Sequence, residues 1–183
     1  MALVRTQYPN LPRHALMVCA TLVENPINLG MLCRTTEAFR LEALVLSDLT
    51  LVQDRKFRQG AVATHRWQPL AECAAENLPQ WLYQQRQRGY TPIALDLQPQ
   101  AVPLADLRFP ERAVLVLGRE LTGIPAAVSA ACDQSVMIPQ YGVVQSLNVQ
   151  TAAALAIYAY IGQWGMVAVA SPAPTPLAPT PLE

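Results

Sequence analysis

Charge is scarce in this sequence. Of 183 residues only 14% are charged, thirteen basic against thirteen acidic, for a formal net charge of zero. A uniformly basic coat for nucleic acid is thereby excluded, whereas a local basic patch is not. Lysine is almost missing: Lys56 is the single one, and every other basic residue is arginine, the better side chain for bidentate phosphate contacts. Cysteine is sparse and dispersed. Cys19, Cys33, Cys73 and Cys132 form no C-x-x-C pair and have only His14 and His65 beside them, which argues against a metal site. Reduced thiols in a cytoplasmic protein are the expectation. No apolar leader is expected either, since Arg5 and Arg13 flank polar, proline-containing sequence. Familiar nucleotide and hydrolase signatures are absent as well. No G-x-G-x-x-G follows a strand-like run, and no G-x-S-x-G occurs. Gly118 to Gly123 has P-loop spacing, but Ile124-Pro125 follows where a Lys-Ser/Thr pair is required.

What is present is apolar. Hydrophobic residues make up 52% of the chain and mean hydropathy is +0.19, enough for one domain with its own core. Strand-like runs are expected at His14–Thr21, Ala43–Ser47, Thr91–Leu97, Ala113–Gly118 and Ser135–Pro139. Helical patterns are expected at Leu29–Phe39 with Asn28 as N-cap, Leu78–Arg88, Pro125–Cys132 with proline in its first turn, and Ser146–Trp164. Asp48–Gln68 shows no clear period. Alternation of strands and helices makes the chain α/β, with a mostly parallel sheet flanked by helices. The expected organisation is an N-terminal extension (1–13), one main domain (14–166) and a flexible proline-rich tail (167–183). From Gln134 to Leu182 no residue is charged. The nearly apolar Thr151–Ala170 approaches the length of a membrane span, but glycines, Gln163 and the lack of a basic flank favour a helix buried by its own sheet and a second subunit.

Polar and glycine-rich content concentrates in three loops at the ends of these elements. They are Asn25-Pro-Ile-Asn28-Leu-Gly30-Met-Leu-Cys-Arg34-Thr35, Gly118-Arg-Glu120-Leu-Thr-Gly123-Ile-Pro125, and Ile138-Pro-Gln-Tyr-Gly142-Val-Val-Gln-Ser146-Leu147-Asn148. Ligands of open α/β sheets collect at the carboxyl ends of strands, where such loops converge. Taken singly, each has a plain structural reading as a helix cap or strand end. In order and content, N-x-x-N-x-G-x-x-x-R-T, G-x-E-x-x-G-I-P and I-P-x-x-G-x-x-x-S-L-N together resemble the SpoU/TrmH branch of the SPOUT RNA methyltransferases, from about His14 to Trp164. The stretch from Asp54-Arg-Lys-Phe57 to Trp67-Gln-Pro-Leu70 looks most like the catalytic domain of eukaryotic tRNA guanosine 2′-O-methyltransferases.

The resemblance implies a C-terminal trefoil knot, a homodimer, S-adenosyl-L-methionine as methyl donor and RNA as substrate, with tRNA and its D-loop guanosine favoured. Ribosomal RNA, the tRNA wobble position, or a non-catalytic RNA- or cofactor-binding role are the alternatives. It also implies roles for residues. Leu95, Asp96, Gly118, Ile138, Ser146 and Leu147 match cofactor positions. Asn28, Arg34, Glu120, Ser146 and Asn148 match catalytic ones. Removing a proton from an arginine near neutral pH costs roughly 8 kcal/mol, so Arg34 is expected to grip a phosphate and stabilise a developing alkoxide rather than act as base. Arg55, Lys56, Arg58 and Arg66 form the densest basic cluster, with Phe57 and Trp67 as stacking candidates for RNA. His65 is expected to pack. Arg40 departs from the family, standing where a glycine commonly follows Phe39, which would alter the turn or add an RNA contact.

Overall fold

The computed structural model describes residues 11–144 and 146–165. Seven strands form one sheet in the order β3-β2-β1-β6-β4-β7-β5, and every pairing is parallel. The strands are β1 (His14–Cys19), β2 (Leu41–Leu46), β3 (Leu70–Glu72), β4 (Thr91–Leu95), β5 (Val102–Pro103), β6 (Ala113–Leu117) and β7 (Gln134–Met137). The helices are α1 (Pro26–Ala38), α2 (Arg55–Ala61), α3 (Leu78–Gln87), α4 (Ala126–Ala130) and α5 (Val149–Trp164). The central strands β1 and β6 are near-continuous apolar runs because both faces are covered. Alternate residues feed two cores: Leu16, Val18 and Leu115 pack with α1, α2 and α5, and Met17, Val114 and Val116 pack with α3 and α4 on the other face.

The α/β expectation holds, with local corrections. Asn28 is not the N-cap of α1. The helix starts a turn earlier, where Asn25 accepts from Ile27 N and Pro26 occupies the first turn, the arrangement that Asn-Pro favours. Ser146 lies outside α5, which begins at Val149 and is capped by Asn148, whose side chain accepts from Gln150 N and Thr151 N. Pro125 precedes α4 rather than entering it. The featureless stretch holds α2, capped by Asp54, between two 3₁₀ turns. Both β3 and β5 were beyond periodicity, being three and two residues long. The N-terminal extension lies mostly, and the proline-rich tail wholly, outside the described residues, as does the end of the Thr151–Ala170 run. Among the described residues no helix is long and apolar enough to cross a membrane.

Two close contacts explain conspicuous glycines. A Cβ on Gly30 would sit 2.1 Å from Phe57 O, and one on Gly60 would sit 2.7 Å from Ile27 O. The pair therefore lets α1 and α2 cross backbone to backbone. Arg40 takes the left-handed conformation (φ 51°) that glycine adopts freely. It is buried at 8% exposure, and its guanidinium donates to Leu11 O and Pro12 O. The turn survives without glycine, and the side chain ties down the entry to β1.

Uncharged α5 is explained in part within one subunit. Ala153, Ala156, Ile157 and Tyr160 are buried. Its last turns are stitched to the segment before β6: Tyr160 OH donates to Glu111 O, Gln163 Nε2 to Leu107 O, and Trp164 Nε1 to Phe109 O. Burial pushes the Tyr160 hydroxyl up to about 12, so it stays a donor.

Candidate functional site

Register sets the site. Leu95 lies opposite Leu117 across β4 and β6 and opposite Val136 across β4 and β7. The residues that follow, Asp96, Gly118 and Met137, therefore emerge at the carboxyl edge, with Ile138 one step beyond Met137. The chain after β6 turns back at once: Arg119 and Gly123 exchange both backbone hydrogen bonds, closing a hairpin that carries Glu120. A Cβ on Gly118 would lie 2.7 Å from Gly123 C, so its missing side chain serves this closure.

A cavity of about 480 Å³ opens there. Leu95, Asp96, Gly118, Ile138, Ser146 and Leu147 all line it, and so do Glu120 and Asn148. Asn28 is 5% exposed and joins the last two: its Nδ2 donates to Glu120 Oε1 at 3.1 Å, and Asn148 Nδ2 donates to its Oδ1 at 3.2 Å. Gln150 Nε2 adds a second tie to α1 by donating to Thr35 Oγ1 at 3.2 Å. Segments 92 and 120 residues apart in the chain thus meet through one asparagine.

Glu120 is the anchor of this network. Its carboxylate also accepts from Glu24 N at 3.3 Å and Asn25 N at 3.2 Å. Burial alone would raise its pKa, but the donors from Asn28 and the backbone outweigh that and hold it below the ordinary carboxylate value. Asp96 is engaged as well, accepting from Leu97 N and Gln98 Nε2 at 2.9 Å each. Neither carboxylate is a free base. Cys33, pushed up to about 11 mainly by burial, stays a thiol. Among the described residues no cluster of three or more His, Cys, Asp or Glu could hold a metal ion.

Other expected site residues lie outside the cavity. Arg34 is on the exposed side of α1 and has no hydrogen bond or ion pair with the described residues. Arg55, Lys56, Arg58 and Arg66 are all exposed, on α2 and the turn after it. That turn runs beside α1, where Thr64 Oγ1 reaches Cys33 Sγ at 3.6 Å. Phe57 is corrected: it is fully buried, held in the core by the α1–α2 crossing, and cannot stack on RNA. Trp67 keeps 43% of its surface. His65 packs edge-on against Phe57 as expected; burial, then Arg66 and Arg58, lower its pKa.

Sequence reasoning passed over Gln140. It lines the cavity, and its Oε1 is buried with no hydrogen-bond partner among the described residues. Its position inside the third motif was the only available signal. The hairpin tie between Arg119 and Glu24 (3.5 Å) was likewise not foreseen.

These features match known proteins. Over 148 residues the chain is 43% identical to the tRNA (guanosine(18)-2′-O)-methyltransferase TARBP1 of Mus musculus, covering 81% of this chain and 9% of that protein. It is 32% identical over 152 residues to the tRNA (guanosine(18)-2′-O)-methyltransferase of Saccharomyces cerevisiae, covering 82% of this chain and 11% of that one. The chain therefore spans about a tenth of the length of these curated relatives. The crystal structure of the A. aeolicus TrmH/SpoU tRNA modifying enzyme superposes with a TM-score of 0.78 at 26% identity, covering 88% of this chain and 82% of that one. Residues 15–158 match the model of the SpoU rRNA methylase family. With its three motif loops joined at one cavity, the chain belongs to that family.

Proposed function

We propose that this chain transfers a methyl group from S-adenosyl-L-methionine to a ribose 2′-hydroxyl of tRNA, with a D-loop guanosine as target. The observation that carries this reading is the hydrogen-bonded chain Glu120–Asn28–Asn148, which gathers the three motifs at one cavity. The two tRNA-acting relatives support the substrate. The family fold implies a trefoil knot and a homodimer. Exposed Leu155 and Tyr158 on α5, the latter edge-on to Phe39 at the end of α1, offer an apolar face for a second copy.

The cavity fits the methyl donor. Leu95, Ile138 and Leu147 would give apolar wall to a purine, and the backbone of Gly118, Ile138 and Leu147 would hold adenosine. When bound, S-adenosyl-L-methionine supplies an electrophilic methyl group. The chain's own part is positioning and charge. Glu120 and Asn148 hold Asn28 rigid at the mouth, and alignment of this kind is worth about 7–11 kcal/mol in favourable cases. Ser146, exposed on the cavity wall, faces the incoming ribose. Arg34 grips a phosphate and stabilises the developing alkoxide. Because both nearby carboxylates are already occupied as acceptors, the hydroxyl proton leaves late or through water. Arg55, Lys56, Arg58 and Arg66, with Trp67, hold the RNA body.

The test is to incubate the protein with methyl-labelled donor and unmodified tRNA and rRNA, then map 2′-O-methyl groups. A single D-loop guanosine is expected. Methylation at the wobble position or in rRNA would reassign the substrate. Donor binding without any methylation would make the chain a binding protein only.

A further inference from the structure

Helix α1 is tied to the start of α5 at two points. In its first turn Asn28 Oδ1 accepts from Asn148 Nδ2 at 3.2 Å, and in its third turn Thr35 Oγ1 accepts from Gln150 Nε2 at 3.2 Å. The two donors are themselves linked, because Asn148 Oδ1 accepts from Gln150 N at 2.9 Å. The two acceptors are seven residues apart. They therefore share one stripe of α1, about 20° apart around its axis and about 10 Å apart along it. Thr35 spends its own hydroxyl hydrogen on Met31 O at 3.0 Å, which leaves an oxygen lone pair for Gln150.

Leu29, Leu32 and Cys33 pack the other side of α1 into the core. Apolar burial is non-directional, so it holds the helix down without fixing its exact rotation. Hydrogen bonds are directional, and two of them on one stripe do fix it. Ordering a glutamine side chain costs about as much free energy as a half-buried hydrogen bond returns. The Gln150 tie therefore adds little stability. What it sets is the turn that carries Arg34, the exposed side chain directly before Thr35.

We propose that Gln150 is a positioning residue for methyl transfer: through Thr35 it sets the direction in which Arg34 leaves α1 towards the incoming nucleotide. The inference rests on the role given to Arg34 above. Asn148 and Val149 line the cavity and Gln150 does not, so its action falls on Arg34 and not on the methyl donor. Misplacement of a reacting group by about 1 Å can cost about 100-fold in rate, and release of one tie of two should cost less than that.

Steady-state transfer from methyl-labelled S-adenosyl-L-methionine to unmodified tRNA tests this, beside the thermal midpoint of each protein. The variants are Gln150→Leu, Thr35→Val and Thr35→Ser, with Gln150→Leu also made in an Arg34→Ala background. Gln150→Leu and Thr35→Val should each lower kcat about tenfold, with donor KM and midpoint unchanged, and together should be no worse than either alone. Thr35→Ser keeps the hydroxyl and should stay within about threefold of the wild type. In the Arg34→Ala background Gln150→Leu should cost nothing further. These results support the proposal. An intact kcat in Gln150→Leu, with or without a lowered midpoint, overturns it, and so does a full further loss on top of Arg34→Ala. Near-normal transfer by Arg34→Ala alone overturns the reading of Arg34 beneath it and the proposal with it.

Discussion

The two ends of the sheet are both rich in polar side chains, yet they are organised differently. At the amino end the groups close on one another. Tyr90 OH donates to Glu42 at 2.5 Å under the Arg112 guanidinium, 4.2 Å from the ring. Arg13 pairs with Glu37 at 3.1 Å and donates to Trp67 O, and Arg40 holds Leu11 O. At the carboxyl end the Glu120–Asn28–Asn148 chain is equally well made, but it borders an open cavity of about 480 Å³. A closed network specifies a fold. An open one, beside a cavity, specifies a ligand. The difference between the ends separates structure from function more sharply than burial does.

Variants can break this contrast. Arg34→Ala carries the largest expected effect: methyl transfer at saturating tRNA falls about 100-fold or more, with thermal stability unchanged because the exposed side chain makes no hydrogen bond or ion pair with the described residues. Near-normal transfer would remove both roles assigned to it. Gly30→Ala comes next. A Cβ placed 2.1 Å from Phe57 O forces α1 from α2 and should cost about 3 kcal/mol in urea unfolding. Asn28→Ala should cost about 2 kcal/mol by leaving Glu120 short of a donor and should lower methyl transfer at least tenfold, the mixed result expected where both ends of the contrast meet in one residue. Tyr90→Phe, in the closed network, should cost about 1 kcal/mol and leave methyl transfer per folded molecule intact.

The smallest effect is a pH dependence. Since the folded pKa of Glu120 lies below the ordinary 4.5, its carboxylate stabilises the fold above that value. The contribution is lost as pH falls toward the folded pKa. Thermal midpoints measured from pH 6 down to 3 should fall more steeply for the wild type than for Glu120→Gln.

Much of the sheet was readable in advance. β1, β4 and β6 are apolar runs with no competing helical period, and α3 ends at Gln87, with Arg88 as its C-cap before Gly89. The edges were not. β3 pairs on one side only through three residues, too few for alternation to register. α2 buries only Phe57, Gly60 and Ala61, so its seven residues carry no helical stripe. Asp54 at its N-cap and Asn25-Pro26 before α1 were local signals that could have placed both starts. The site was legible by another route. The three motifs pointed to it through resemblance, while the contact of Asn28 with Glu120 and Asn148 depends on strand order, which no periodicity contains. Gly30 shows the limit of motif reading, since its role is to let helices cross.

The central claim is that the cavity edge presents a ribose hydroxyl to a methyl donor. Transfer from methyl-labelled S-adenosyl-L-methionine to two tRNA transcripts, identical except for a 2′-deoxy substitution at the D-loop guanosine, tests it directly. Label should enter the all-ribose transcript and fail to enter the deoxy one; equal labelling of both, or labelling of neither, would contradict the account.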